Sequence, residues 1–190
     1  MASGDLQFRI ATPDDAAQIQ QLLNSAFRAE DSRENWTGDM GLASEFNIAV
    51  EEIMRNITAP DSAYLMATDE RGVLTGSVGV SKRGADVGRI YMLAVDPHRH
   101  RGGIGRKVLA FAEEYSRQRW GVGKMSLNAL STRLPLLEWY LRCGYRKTGE
   151  LTPVPREWFK DRILPDDFCF VEFEKDLVTD PSAAGAADTA

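Results

Sequence analysis

The sequence predicts a single α/β domain, and three observations lead to this expectation. Segments with the two-residue period of a strand alternate along the chain with segments that have the period of a helix. The length of 190 residues suits one globular domain. The composition, 43% hydrophobic and 27% charged, is ordinary for such a domain. We expect the domain to cover residues 6–177 and a disordered tail to cover 178–190, where small and polar residues offer nothing to a core.

The first part of the chain predicts a strand, two helices and a hairpin. Residues 6–10 alternate like a strand, and T-P-D-D after them offers an N-cap, a first-turn proline and early acidic residues for a helix. After a polar loop, apolar spacing predicts a second helix over about 44–55. Residues 62–68 and 73–82 are expected to be strands, because D-E-R-G between them is a hairpin turn signal.

The second part of the chain predicts the centre of the sheet. Residues 88–95 are almost continuously apolar, which is typical of a strand buried on both faces. The elements expected after it are a glycine-rich turn with a helix to about 117, a strand at 124–130, a helix at 134–142, and strands at 145–149 and 168–174.

The segment V-D-P-H-R-H-R-G-G-I-G-R-K, which begins at Val95, carries the main functional signal. Glycines and basic residues follow a strand and open a helix, so that backbone N–H groups lie at the positive helix end. A dinucleotide fingerprint would need glycine where Val108 stands, and a P-loop would need Gly-Lys-Ser/Thr, which is absent. The segment therefore predicts a pyrophosphate site of another kind.

This segment resembles motif A of the GNAT superfamily, the acyl-CoA-dependent N-acetyltransferases, in which Gln/Arg-x-x-Gly-x-Gly/Ala follows V-x-P. The six motif positions are His100, Arg101, Gly102, Gly103, Ile104 and Gly105. His100 departs from the opening Gln/Arg, so the usual side-chain contact would have to come from Arg99, Arg101 or Arg106. The alternative is a glycine-rich turn that only starts a helix.

A second segment, L-L-E-W-Y-L-R-C-G-Y, is similar to the family's later motif F-Y-x-x-x-G-F/Y. Tyr140 stands where many members carry a tyrosine near the coenzyme sulfur, and we expect it to be the general acid that protonates the departing thiolate. A free thiol has a pKa of about 8.5 and tyrosine about 10, so the transfer is only slightly uphill. The alternative is that Tyr140 packs its ring on the sheet and hydrogen-bonds elsewhere.

The resemblance implies a central mixed, twisted sheet of about six to seven strands with helices on both faces, in the poorly characterised small-molecule branch of the superfamily. It also implies acetyl-CoA as the co-substrate, with its pyrophosphate on the main-chain N–H groups from Arg101 to Arg106. The pantetheine arm would lie along the strand residues Met92, Leu93, Ala94 and Val95. The N–H of Leu93 or Ala94 would polarise the thioester carbonyl.

The general base has no candidate at the family's usual positions, which hold Arg89, Tyr91 and Asn128. We expect a water relay to a carboxylate near the first helix, with Glu30, Glu34, Asp39 and Glu45 as candidates. Asn128 is expected to orient a water molecule or the coenzyme. The acceptor pocket is expected to include Trp36, Tyr91 and Trp158.

Charge and composition exclude several partners. A net charge of −5 and a pI near 5.2 argue against nucleic acid, which requires a concentrated basic surface. His98 and His100 flank Arg99 without a ligand set around them, so we expect no metal. No apolar stretch reaches membrane length and only two cysteines occur, so we expect a cytoplasmic protein without a membrane partner. We expect it to be a monomer or a homodimer.

These expectations give an N-acetyltransferase that moves an acetyl group directly, within a ternary complex, to a primary amine of a small molecule or amino acid. Two alternatives remain open: acetylation of peptide or protein N-termini, and a non-catalytic acyl-CoA sensor or scaffold. A nucleotide-dependent ligase or kinase would need ATP and magnesium ligands that the sequence does not offer.

Overall fold

A computed structural model describes residues 6–29, 43, 46–99, 102–155 and 163–177 of the chain. Its strands are β1 (Gln7–Ile10), β2 (Ser62–Thr68), β3 (Leu74–Arg83), β4 (Val87–Val95), β5 (Lys124–Leu130), β6 (Arg146–Pro153) and β7 (Cys169–Asp176). Its helices are α1 (Ala16–Arg28), α2 (Val50–Thr58), α3 (Ile104–Trp120) and α4 (Leu134–Arg142), with 3₁₀ turns at Pro13–Asp15 and Pro97–Arg99. The expected tail over 178–190 lies outside the described residues.

The seven strands form one mixed sheet in the order β1-β2-β3-β4-β5-β7-β6. Every neighbouring pair is antiparallel except β4 and β5, which are parallel. The central place of the apolar strand and the hairpin between β2 and β3 are confirmed. The predicted α/β class and mixed sheet are therefore confirmed as well.

Helices cover the sheet from both faces, as expected. On one face, α3 and α4 bury Val108, Leu109 and Leu137 against sheet residues that include Leu65 and Leu127. On the other face, α1 and α2 bury Ile19, Leu22, Leu23 and Ile53 against Tyr64 and Met66. Consecutive residues of β2 therefore belong to different cores, because successive side chains of a strand point to opposite faces.

Helix α2 begins at Val50, later than the sequence predicts, and extends to Thr58. The backbone before it is extended, since Ala49 has φ −80° and ψ 146°. Ile48 explains this: its N–H bonds the Asn24 side chain and its carbonyl accepts from Gln20, both on α1. These tertiary hydrogen bonds replace those that an additional helical turn would make, a competition that apolar spacing does not reveal.

Strands β4 and β5 pair over only three residues. The parallel register joins Val87–Arg89 to residues 124–126. Beyond Arg89 no further pairing with β5 occurs within the described chain, although β4 continues to Val95. We call the resulting opening the fork. Its far end leads through Pro97–Arg99 to the N-terminus of α3, so the fork and the glycine-rich turn adjoin.

Candidate functional site

The glycine-rich turn gives α3 an open, positively polarised N-terminus. Gly102 has φ 94° and Gly103, the N-cap, has φ 70°, a left-handed conformation that favours glycine. The first described helical bond runs from the Lys107 N–H to the Gly103 carbonyl at 3.1 Å. Within the described residues, the N–H groups of Ile104, Gly105 and Arg106 have no backbone acceptor. Such groups at a helix N-terminus attract a phosphate.

The basic residues around this turn are partly committed to protein partners. Arg99 Nη1 lies 2.7 Å from Asp69 Oδ2, and this hydrogen bond lowers the pKa of Asp69 to about 2. Arg106 Nη2 donates to the Arg142 carbonyl at 3.2 Å, at the C-terminal end of α4. His100 and Arg101 lie outside the described residues. The backbone amides of Ile104, Gly105 and Arg106 therefore join the basic side chains as anion-binding groups of the turn.

A β-bulge bends β4 at the fork. Ser77 pairs with Ala94 and Gly79 pairs with Tyr91, so two β4 residues lie opposite one β3 residue, Val78. Met92 has φ 51° and is the sole non-glycine residue with positive φ in the described part of the chain. A side chain in this region costs about 1–3 kcal/mol, and such strain is typically found at functional sites. Sequence reasoning missed this bulge because no glycine marks it.

Tyr91 lies on the face that α1 and α2 cover, where it belongs to the same apolar cluster as Met92. Its hydroxyl lies 2.7 Å from the Ser62 hydroxyl, and its ring meets Tyr64 edge-on. Burial raises the pKa of Tyr91. The Tyr91 side chain is thus uncharged and held in place beside the bulge. Its assignment to the acceptor pocket remains a prediction.

Tyr140 lies on α4, on the opposite face of the sheet, and is 6% exposed. Its ring packs against Trp139, Tyr145 and Phe173 with centroid distances of 5.1, 6.0 and 5.9 Å. The neighbouring Tyr145 hydroxyl donates to Glu113 at 2.9 Å. The Tyr140 hydroxyl has no hydrogen-bond partner in the part of the chain that the structure describes. It is therefore available to a ligand, unlike that of Tyr145.

Burial raises the pKa of Tyr140 to about 12. The phenol is therefore a weaker acid than an exposed tyrosine, and its pKa lies about 3.5 above that of a free thiol. The same surroundings act on sulfur, because burial also raises the pKa of the nearby Cys143 thiol. A coenzyme thiolate formed in this region would also be more basic than one in water, which reduces the difference between the pKa of the thiol and the pKa of Tyr140.

A carboxylate that sequence reasoning missed, Glu172 on β7, lies beside two of the residues considered for the base. Its Oε2 accepts from Arg89 Nη1 at 2.7 Å, and its Oε1 accepts from Asn128 Nδ2 and Thr152 Oγ1, both at 2.8 Å. Burial raises the pKa of Glu172, but these hydrogen bonds outweigh it and the net pKa is lowered. Glu172 is thus an ionised counter-ion and a weak proton acceptor.

The strand pairing explains why Glu172 was missed. The antiparallel register places Glu172 opposite Asn128. Alternation in F-V-E-F-E does put Glu172 and Glu174 on one face, but the sequence does not reveal which strand lies beside them.

Several predicted site residues lie outside the described residues: Trp36, Trp158, Glu30, Glu34, Asp39 and Glu45. Their roles remain predictions. No group of three or more His, Cys, Asp or Glu side chains that could hold a metal occurs among the residues that the structure covers. None of the described helices is long and apolar enough to span a membrane.

The chain is similar to known proteins over most of its length. A family model described as the acetyltransferase (GNAT) family matches residues 17–145. N-alpha-acetyltransferase 60 of Drosophila melanogaster is 27% identical over 72% of the chain. S-(2-succino)cysteine N-acetyltransferase of Bacillus subtilis is 28% identical over 76% of the chain and 86% of its own length.

The fold resembles that of a nourseothricin acetyltransferase crystal structure, with a TM-score of 0.61 and 20% identity. The match covers 90% of the chain and 98% of that structure. At this identity the likeness concerns the fold alone. The chain spans 58% of the length of the fly relative.

Proposed function

Because the chain belongs to the GNAT acetyltransferase family, we propose that it transfers an acetyl group from acetyl-CoA to a primary amine of a small molecule or amino acid. The observation that carries this proposal is the continuity of the fork with the α3 N-terminus. Within the described part of the chain, one end offers amides without a backbone acceptor for a diphosphate, and the other offers a strand edge without a pairing partner for an extended arm.

The donor would run along β4 in the direction opposite to the chain. Its pyrophosphate would lie on the N–H groups of residues 101–106, and its pantetheine arm would pair with Met92–Val95. The thioester would then lie near the bulge, where the N–H of Leu93 or Ala94 would polarise its carbonyl. The strained Met92 backbone supports this assignment, since such strain persists where a fixed local geometry is needed.

The reaction is a direct attack within a ternary complex. The nitrogen lone pair forms a bond to the acetyl carbonyl carbon, the carbon–sulfur bond breaks, and sulfur departs with the electron pair. Tyr140 donates its proton to that sulfur, and nitrogen releases one proton to water. The Tyr140 hydroxyl is buried and has no hydrogen-bond partner among the described residues, which supports this role. The acceptor would reach the thioester from the face of Tyr91, opposite the face that carries Tyr140.

The proton on the attacking amine must leave before or during attack. Glu172 is a poor base because its pKa is lowered and its oxygens already accept three hydrogen bonds. We therefore retain a water relay, with the acidic residues of 30–45 as its end and Asn128 as a group that orients water or the coenzyme. Alignment of the reactants would supply much of the rate acceleration.

The names of the relatives are consistent with an amine acceptor. One is an N-acetyltransferase of a cysteine derivative, and the other is an N-alpha-acetyltransferase. The first, which aligns over most of its own length, favours a small acceptor. Acetylation of peptide or protein N-termini is the second candidate, favoured by the fly relative.

The experiment is an assay of CoA release with acetyl-CoA and a panel of small amines, amino acids and short peptides, followed by mass identification of the product. We expect a product heavier by one acetyl group on nitrogen. Peptides as the sole substrates would favour the second candidate. Binding of acetyl-CoA without CoA release from any amine would indicate a sensor, and thermal stabilisation by ATP but not acetyl-CoA would contradict the proposal.

A further inference from the structure

Arg89 occupies the vertex of the fork. It is the last β4 residue that pairs with β5, opposite Ser126. Its side chain is only 10% exposed, and Nη1 lies 2.7 Å from Oε2 of Glu172, which is 14% exposed. A buried guanidinium is costly unless its donors are satisfied, so the use of each donor matters.

The two partners of this ion pair are unequally satisfied. Both oxygens of Glu172 are occupied, one by Arg89 and the other by Asn128 and Thr152. The planar guanidinium group of an arginine carries five N–H donors. Among the described residues, Glu172 is the one hydrogen-bond partner of Arg89, through Nη1 alone. The remaining donors of this largely buried cation are therefore open to an external acceptor group.

The position of Arg89 points these donors toward the acceptor side of the fork. Alternation along β4 puts Arg89 on the same face as Tyr91, whereas Gly88 and Ile90 face the core of α3 and α4. Met92 at the bulge is the third residue after Arg89, about 10 Å further along the strand. A small acceptor and the long arginine side chain can span this distance together.

Resting on the proposed function, we propose that Arg89 binds a carboxylate of the acceptor and thus selects amines that also carry a carboxylate, of which α-amino acids are the smallest class. A carboxylate is the planar anion that matches the free edge of a guanidinium, and it would supply the missing acceptors. Glu172 is then a positioning residue, held by Asn128 and Thr152, that fixes Arg89 at the vertex.

The test compares amino acids with their own carboxamides: L-methionine, L-phenylalanine and L-lysine, each with its amide. Both KM from CoA release and acceptor Kd from calorimetry in the presence of CoA are measured. We expect the acid to bind roughly 10- to 100-fold more tightly than its amide, the range for a charged hydrogen-bonded contact. The amide has the less basic amine, so intrinsic reactivity favours it and cannot create this preference.

Variants separate recognition from folding. Arg89→Gln combined with Glu172→Gln removes both charges without leaving an unpaired buried ion, and an acetyl-CoA titration checks that this double variant is folded. We expect it to lose the preference for acids. Glu172→Gln alone keeps the arginine charge but weakens the contact that fixes Arg89, so this variant should keep the preference for acids and bind them less tightly than the wild type. Arg89→Lys should retain only part of the preference for acids, because lysine keeps the positive charge but lacks the planar guanidinium group.

The outcomes distinguish this inference from the proposed function. CoA release with equal KM for acids and amides would overturn the inference alone, as would a preference that survives in the double variant. No CoA release with any amine would overturn the proposed function, and this inference with it. Tight binding of acids that is lost in the double variant would support the inference.

Discussion

The ring of Tyr91 lies over the backbone of Gly79, so close that no other side chain fits between them. A Cβ atom added at Gly79 would lie 2.6 Å from Cδ2 and Cζ of Tyr91. Real Cβ atoms essentially never come that close to another heavy atom. Gly79 pairs with Tyr91 next to the bulge, so the glycine permits the ring to lie flat beside the site.

Gly79→Ala should therefore displace Tyr91 and disturb the bulge behind it. We expect a loss of roughly 1–3 kcal/mol of stability, the usual cost of overpacking a well-packed core. We also expect lower kcat/KM for acetyl transfer. Denaturant unfolding and the CoA-release assay measure the two effects.

The control for this prediction is Tyr91→Ala, which removes the ring that causes the clash. In that background Gly79→Ala should cost much less stability than in the wild-type chain, because the two positions are coupled through contact. Equal costs in both backgrounds would show that the ring is not what requires glycine.

The structural features of the candidate site that depend on local backbone chemistry could be predicted from the sequence. Glycines in front of a helix indicated the amides of Ile104 and Gly105, and apolar continuity indicated β4 as the central strand. Both signals arise from neighbours along the chain. The hairpin before β4 was predictable for the same reason.

The parts that depend on contacts between distant segments escaped prediction. Glu172 meets Arg89 across 83 residues, and only the antiparallel register of β5 and β7 brings them together. The start of α2 depended on bonds between Ile48 and α1. The positive φ of Met92 follows from the β3–β4 pairing and has no marker in its own neighbourhood.

The helix caps of α3 allow a matched test of the phosphate cradle. Gly103 at the N-cap has φ 70°, and Gly121 at the C-cap has φ 66°; a Cβ at either would meet nothing within 4 Å. Alanine should cost a similar amount of stability at both, about 1 kcal/mol for the left-handed backbone. We expect only Gly103→Ala to weaken acetyl-CoA binding, at least tenfold by calorimetry.

Gly103→Val should go further and abolish acetyl-CoA binding while the fold persists, because a branched side chain would obstruct the approach of the phosphates. Circular dichroism checks the fold. An unchanged acetyl-CoA titration in the valine variant, or an equal loss of affinity in Gly103→Ala and Gly121→Ala, would exclude the cradle.

Two neighbouring tyrosines allow the acid to be tested against a matched control. Tyr140→Phe should lower kcat about 10- to 1,000-fold with little change in acetyl-CoA affinity, as expected for one lost acid. Tyr145→Phe removes a hydroxyl that hydrogen-bonds Glu113. It should cost about 1 kcal/mol of stability and leave kcat near the wild-type value. Full activity in Tyr140→Phe would exclude the acid role.

The raised pKa of Tyr140 sets where its proton is lost. A tyrosine in the unfolded chain titrates near 10, whereas burial raises the pKa of Tyr140 to about 12 in the folded protein. The folded state thus prefers the neutral phenol, so its stabilising effect is complete below pH 10 and is lost as the pH rises towards 12.

In catalysis, kcat/KM should increase with pH as the amine loses its proton and should not decline before about pH 11. Rates from pH 7 to 11, corrected for spontaneous thioester hydrolysis, measure this profile. An alkaline decline with an apparent pKa near 10 in the wild type, absent in Tyr140→Phe, would mean that the phenol is solvated rather than buried when it acts.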